Sequence, residues 1–249
     1  MTTIYILWLR QIKRYSRSKA RIIGSLGQPL LFLIAMGFGM GRMYKLATNG
    51  GNYMDFLAPG IIAMGIIFTG TFSGIEIIWD RQFGFLKETL VAPTSRINIM
   101  LGRTLGGATI AACQGFIILG ISLLVGFRPQ LSAITPLALV FIFLIALLFT
   151  ALGTAIASLM DDFHGFQLII NFLIMPLFFL SGALFPLEDL PPAFKFITMI
   201  NPLSYGIDGL RETLINVHHF GIATDLLVLG TVTAIIMTLG SYLFSKIQL

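Results

Sequence analysis

Residues 134–158 read ITPLALVFIFLIALLFTALGTAIAS, with no charged side chain from end to end. The hydrocarbon core of a bilayer is about 30 Å thick, and about 20 apolar residues in helical form cross it. This stretch is long enough to do so. Segments 22–41, 56–79, 104–126, 166–187 and 224–245 share its character. Across the chain 56% of residues are hydrophobic and 11% charged, and the mean hydropathy is +0.91. A soluble domain carries about 25% charged residues. In lipid every backbone donor and acceptor must be satisfied internally, so segments span as helices or closed barrels. Barrel strands alternate apolar and polar residues over about ten positions, whereas these runs are longer and continuously apolar. The sequence therefore predicts an all-α membrane protein with six transmembrane helices. Spans and connectors fill residues 1–249 as one transmembrane domain, with no separate soluble unit.

The basic lead, Arg10, Lys13, Arg14, Arg17, Lys19 and Arg21, precedes an apolar run too long for a signal-peptide core of about 7–15 residues. The first span is expected to stay as an anchor. Lys and Arg concentrate on the cytoplasmic side of membrane proteins. With the N-terminus inside, the inner segments hold this lead, Arg81, Lys87, Arg96, Arg103 and Lys246. The outer segments hold Arg42, Lys45, Arg128, Lys195 and Arg211. Both termini are expected in the cytoplasm of a multi-pass protein of the plasma (inner) membrane. The formal charge of +5 largely reflects this asymmetry, so nucleic acid is not expected as a partner; membrane lipid is.

Residues 3–20 read as an amphipathic interfacial helix. Ile4, Leu7, Trp8, Ile12 and Tyr15 share one face, basic residues cover much of the rest, and such a helix lies in the headgroup plane with its apolar stripe down. Between the second and third spans the chain reads DRQFGFLKETLVAPTSRINIMLGR, residues 80–103. Phe83, Leu86 and Leu90 recur at i, i+3 and i+7, a short amphipathic helix that Pro93 should end. Its apolar face needs cover from headgroups or another protein; a plain surface connector is the alternative. After the fifth span, residues 188–217 are too long and too apolar for a free loop. Pro191 and Pro192 can open one short helix. Asn201-Pro202 breaks the chain before a second, and the pair is expected to form a re-entrant hairpin in the outer membrane face. Gly102 and Gly106 open the third span at a spacing that lets helix backbones approach closely. Cys113 is expected as a small packing residue.

Chemistry is sparse. No G-x-x-x-x-G-K-[ST] is present to cradle nucleotide phosphates, and no H-E-x-x-H zinc motif occurs, so no metal is assigned. Glu76 lies inside a predicted span near its cytoplasmic end, where it can pair with Arg81 or Arg103. That is either a gating group or a snorkelling carboxylate. Nothing charged sits at mid-membrane, which weighs against a proton-coupled secondary carrier. Ser73 and Ser181 are intramembrane serines with no histidine base in another span, which weighs against an intramembrane enzyme. Asn171, Phe172, Phe178 and Phe179 on the fifth span suit a path for an apolar or amphipathic molecule better than one for an ion. Core packing accounts for the same aromatics.

The local motifs resemble those of the ABC-2 type exporter permeases. YMDFLAPGI, Tyr53 to Ile61, is similar to the family's F-L-x-P-G-I at the start of the second span. Glu76, Arg81-x-x-Gly84, Glu88 and Ala92-Pro93-x-x-Arg96 resemble its loop motif. FLSGALFPLEDLP to INPLSYGIDGLR, Phe179 to Arg211, resembles its fifth-span and hairpin signature, with Asn201, Pro202, Tyr205 and Arg211 at its heart. The nearest branch looks like the drug-resistance and lipo-oligosaccharide exporters. The resemblance implies a permease paired with a second copy of itself and driven by two separate ABC ATPases. Those partners would bind ATP and Mg, leaving this chain with no catalytic residue and no cofactor. It implies a coupling helix at 81–92, with Phe83, Phe85, Leu86, Lys87, Glu88 and Leu90 meeting the ATPase. It makes residues 3–20 a connecting helix bearing Trp8, Arg10 and Arg14. Glu76, Arg81, Arg96 and Arg103 stand as candidates for an inner gate or ion pairs. The implied cargo is amphipathic or lipid-like: a drug, lipid or glycolipid.

Overall fold

The structure is a computed structural model that describes residues 2–41, 52–91, 93–130, 132–186 and 191–247. Its helices are α1 (Thr2–Ser16), α2 (Lys19–Gly39), α3 (Tyr53–Phe72), α4 (Ile75–Gln82), α5 (Phe85–Val91) and α6 (Arg96–Val125), followed by α7 (Leu137–Ser158), α8 (Phe163–Phe179), α9 (Pro192–Ile200), α10 (Pro202–Ile215) and α11 (Ile222–Ser245). The described residues form no strand. The all-helical membrane class follows: α2, α3 with α4, α6, α7 and α11 are each long and apolar enough to cross a bilayer.

α3 is the centre. Leu57, Ile61, Ile62, Met64, Ile66 and Ile67 are fully buried, so this helix is apolar on every side because it is packed on every side. It lies against α2, α6, α7 and α10, while α11 packs on α7 and α10. Close approach relies on small residues. A Cβ on Gly60 would lie 2.5 Å from the Ala183 carbonyl oxygen. Between α3 and α4 the helix breaks at Ser73-Gly74, where the Ser73 hydroxyl donates to the Gly70 carbonyl at 2.6 Å.

Five of the six expected spans correspond to helices long and apolar enough to cross a bilayer, with shifted ends. The second runs from Tyr53 through Gln82 rather than 56–79. The third starts at Arg96 instead of residue 104, because Ser95 caps it, accepting from the Asn98 N–H at 3.3 Å. The fifth differs most. Expected over 166–187, it is a helix of only 17 residues, Phe163–Phe179. Beyond it the chain turns, and the carbonyls a longer helix would use internally go to side chains. Tyr53 donates to Leu184 O at 3.0 Å, and Arg211 donates to Gly182 O at 2.7 Å and Ala183 O at 3.2 Å. Residues 187–190, which include the start of the expected hairpin, lie outside the described residues. The remainder is two short helices, α9 and α10, joined at Asn201.

Candidate functional site: an ion-pair platform beneath an exposed connector

Glu76 and Asp80 are one helical turn apart on α4, so they share a face, and both are buried. Arg10 and Arg14 have the same spacing on α1. The two pairs meet. Arg10 Nη2 is 3.2 Å from Asp80 Oδ1, and Arg14 Nη1 is 3.8 Å from Glu76 and 3.7 Å from Asp80. From α2, Arg21 Nη1 reaches Glu76 Oε1 at 2.8 Å, and from α6, Arg103 Nη2 reaches Asp80 Oδ2 at 2.6 Å. Guanidinium groups suit such a site because they are always charged and shed water more readily than ammonium. These contacts bind α1, α2, α4 and α6 into one block.

Glu76 therefore has partners other than those expected. Arg81, one residue after Asp80, points about 100° away around the helix. It pairs with Asp161, and its Nη1 donates to Met160 O at 3.1 Å, fastening the end of α4 to the α7–α8 turn. Arg103 takes Asp80 rather than Glu76. Arg96 stands apart from both, donating to Ser245 O at 2.6 Å and Ile247 O at 3.0 Å at the end of α11. The expected set Glu76, Arg81, Arg96 and Arg103 is thus three separate fastenings. Asp80 and Arg21 are the members that motif reading left out.

The apolar stripe of α1 packs against the third span. Leu7 and Gln11 are buried. A Cβ on Gly102 would lie 2.9 Å from Ile4 O, and one on Gly106 would lie 2.7 Å from Gln11 Cβ. The spaced glycines of the third span are thus the seat of α1. Trp8 Nε1 donates to Thr109 Oγ1 at 3.0 Å, and Tyr15 donates to Gln114 Oε1 at 3.1 Å. Cys113, expected to pack inside, is exposed.

The connector sits on this block. Gly84 has φ of +77°, a conformation glycine adopts without strain, and it turns α4 into α5. The Arg10 guanidinium lies 4.0 Å from the Phe85 ring centroid, so the platform touches the connector directly. The apolar face differs from expectation. Leu86 is 0% exposed, packed into the chain's own core, while Phe83 is 83% and Val91 80% exposed. The break at Gly84 takes Phe83 out of helical phase with Leu86, and so parts them. Phe85 is partly exposed, Lys87 and Glu88 face outward, and the Leu90 side chain and Ala92 lie outside the described residues.

On the opposite side, the hairpin signature residues converge. Asn201 caps α10, accepting from Leu203 N–H at 3.0 Å, and its Nδ2 donates to Leu177 O at 2.6 Å. Pro202 opens that helix, where a missing N–H is harmless. Tyr205 donates to Met199 O at 2.8 Å, and Arg211 grips the turn after α8 and lies 3.8 Å from the Phe56 ring centroid. Asp208 accepts from the His219 N–H at 2.9 Å and the Phe220 N–H at 2.7 Å. Asp225 also falls inside a predicted span. It is fully buried, and among the described residues its carboxylate oxygens have no hydrogen-bond partner.

On α8, Phe172 and Phe179 are exposed and Asn171 is half-buried, but Phe178 is in the core. Phe178 therefore leaves the expected path. The Ser73 and Ser181 hydroxyls each donate at 2.6 Å to a carbonyl one turn back, Gly70 and Phe178 respectively. Both serve helix ends.

These features define a polytopic helical membrane protein with a tethered connector after α4 and two short helices, α9 and α10, clasped to the end of α8 and the turn beyond it. The model of the ABC-2 type transporter family matches residues 2–215, and the chain belongs to that family. It is 30% identical over 212 residues to Nodulation protein J of Rhizobium leguminosarum bv. viciae, covering 84% of this chain and 81% of that protein. It is 35% identical over 217 residues to the putative transport permease ycf38 of Pyropia yezoensis, covering 84% of this chain and 72% of that one. The ycf38 permease of Cyanophora paradoxa is 29% identical over 210 residues, covering 84% and 72%. The chain is accordingly a transport permease.

Proposed function

We propose that this permease is the membrane half of an ATP-driven exporter: two copies enclose a path, and two separate ABC ATPases, holding ATP and Mg, drive it. The observation that carries this reading is the connector. Phe83 and Val91 are more than three-quarters exposed on a segment tied to the bundle through Arg10, Asp80 and Arg81. A fixed apolar surface of this kind suits a cleft on a partner that must push on the membrane domain. The cargo is amphipathic or lipid-like, and it passes along the exposed aromatic face of α8, Phe172 and Phe179, with Asn171 beside them. The protein resides in the cytoplasmic membrane with both termini inside.

The test is reconstitution in nanodiscs. The purified chain alone should hydrolyse no ATP. With its ATPase, hydrolysis should rise on adding the transported lipid, drug or glycolipid. In sealed proteoliposomes, transport by the chain alone, driven by an ion gradient, would make it a secondary carrier and overturn this reading.

A further inference from the structure

On the side that the basic residues mark as cytoplasmic, a cavity of about 530 Å³ opens between α5 and the ends of α7 and α11. Leu86, Leu243 and Ile247 give it an apolar floor, and Arg81, Lys87 and Lys246 bring positive charge to it. Asp161 also lines the cavity, and its carboxylate is paired with Arg81, which leaves the two lysines as the excess charge. Lys87 and Lys246 are exposed, and among the described residues neither forms an ion pair; Lys246 Nζ lies 5.1 Å from the Tyr242 ring centroid. Two helices end here, and their C-terminal carbonyls would repel an anion. Arginines already answer them: Arg81 donates to Met160 O just past α7, and Arg96 to Ser245 O and Ile247 O at the end of α11.

From Leu243 and Lys246 in its wall, an apolar stripe leads away along α11. Ile235, Leu239, Leu243 and Lys246 fall at i, i+4, i+8 and i+11, one stripe along α11. Ile235 and Leu239 are half-exposed, and Leu159 on the rim at the end of α7 is 66% exposed. Two lysines that form no ion pair among the described residues therefore sit at the end of a half-exposed apolar track. We propose that this cavity binds one anionic phospholipid of the inner leaflet, its phosphate between Lys87 and Lys246 and an acyl chain along Leu243, Leu239 and Ile235. Charge complementarity selects the headgroup, and the apolar stripe selects a lipid over a soluble anion. Because Lys87 is on α5, occupancy would connect lipid composition to the connector.

Native mass spectrometry of the full chain in detergent tests this with dioleoyl phosphatidylglycerol, dioleoyl phosphatidylcholine and inorganic phosphate as probes. The parent should retain phosphatidylglycerol over phosphatidylcholine. Each lysine near anionic lipid contributes enough that losing both lowers affinity about thirtyfold, so Lys87→Gln/Lys246→Gln should lose the preference. Lys87→Arg/Lys246→Arg should keep it, which separates lost charge from lost fold. Lys13→Gln/Lys19→Gln, exposed positions elsewhere, removes the same net charge and should keep it too. Equal losses in both Gln pairs would reduce the effect to net charge and overturn the site. So would inorganic phosphate displacing the lipid at matched concentration, which would mark a free-anion site. Expulsion of the lipid by one equivalent of the ATPase would assign the cavity to protein docking and likewise overturn it.

Discussion

Arg103 Nη2 and Asp80 Oδ2 lie 2.6 Å apart, with the two side chains 2% and 7% exposed. The pair joins the C-terminal half of α4 to the third span in surroundings almost free of water. Among the described residues the other guanidinium nitrogens of Arg103 have no hydrogen-bond partner, so Asp80 is what makes its burial tolerable. Removing one member of such a pair leaves the other buried and uncompensated, a loss of about 3–5 kcal/mol.

Asp80→Asn should therefore destabilise the chain strongly. Arg10→Gln removes a side chain that is 32% exposed, and a partly solvated pair contributes about 0–1 kcal/mol. Thermal unfolding of both variants in detergent is expected to put Asp80→Asn far below Arg10→Gln. Arg103→Met/Asp80→Leu, which removes both charges, should recover much of the difference. Equal small shifts for Asp80→Asn and Arg10→Gln would show that Asp80 is not the anchor.

The seat of α1 gives a second expectation. A side chain at Gly102 meets the Ile4 backbone, and one at Gly106 meets Gln11. Backbone cannot rotate away, and overpacking of this kind costs about 1–3 kcal/mol. Gly102→Val and Gly106→Val should raise hydrogen exchange across residues 2–16 and leave α7 protected. Gly120→Ala, at an open site on the same helix, should change neither. Unaltered exchange in α1 for both valine variants would sink the packing argument.

The sequence made the spans legible because apolar length is a one-dimensional signal. Break points were harder. The fifth span looks apolar through Phe185, yet its helix stops at Phe179, because Tyr53 and Arg211, distant in sequence, take the carbonyls beyond it. The platform was half legible. Glu76 stood out as an acid in a span, but its partners depended on helix phase: the matching turns Arg10/Arg14 and Glu76/Asp80 were the available signal. Leu86 misled because the i, i+3, i+7 pattern assumed one continuous helix. Gly84 interrupts it, and the residue that looked most central to an outward face points inward. Asp225, two residues into the predicted sixth span, was the acid that pattern reading passed by.

Topology rests on the basic residues and is checked directly. Reporter fusions at Thr94 and Asp162 are expected to read cytoplasmic, and fusions at Ser132 and Asp189 external. Ser132 follows α6 and Asp162 caps α8, so each falls in a connector rather than inside a span; Asp189 lies outside the described residues. A cytoplasmic reading at Asp189 would mean that α8, short for a bilayer crossing at about 1.5 Å per residue, does not traverse.

The last expectation separates docking from folding at the connector. If α5 fills a partner's cleft, the contact is made by Phe83 and Val91, which are exposed, and not by Leu86, which is 0% exposed. A charge placed in a desolvated contact costs several kcal/mol, and about 1.4 kcal/mol corresponds to tenfold in affinity. Phe83→Asp and Val91→Asp should therefore cut ATPase recovery in a pull-down by about a hundredfold, while purified yield and thermal stability stay near the parent. Leu86→Asp should do the reverse: it buries a charge within the permease, lowering yield and melting temperature before any partner is added. Glu88→Gln, outward-facing and neutralising, serves as a mild control at the same surface. Full ATPase recovery by the Phe83→Asp/Val91→Asp double variant would show that this face rests on lipid headgroups and that the ATPase engages the permease elsewhere.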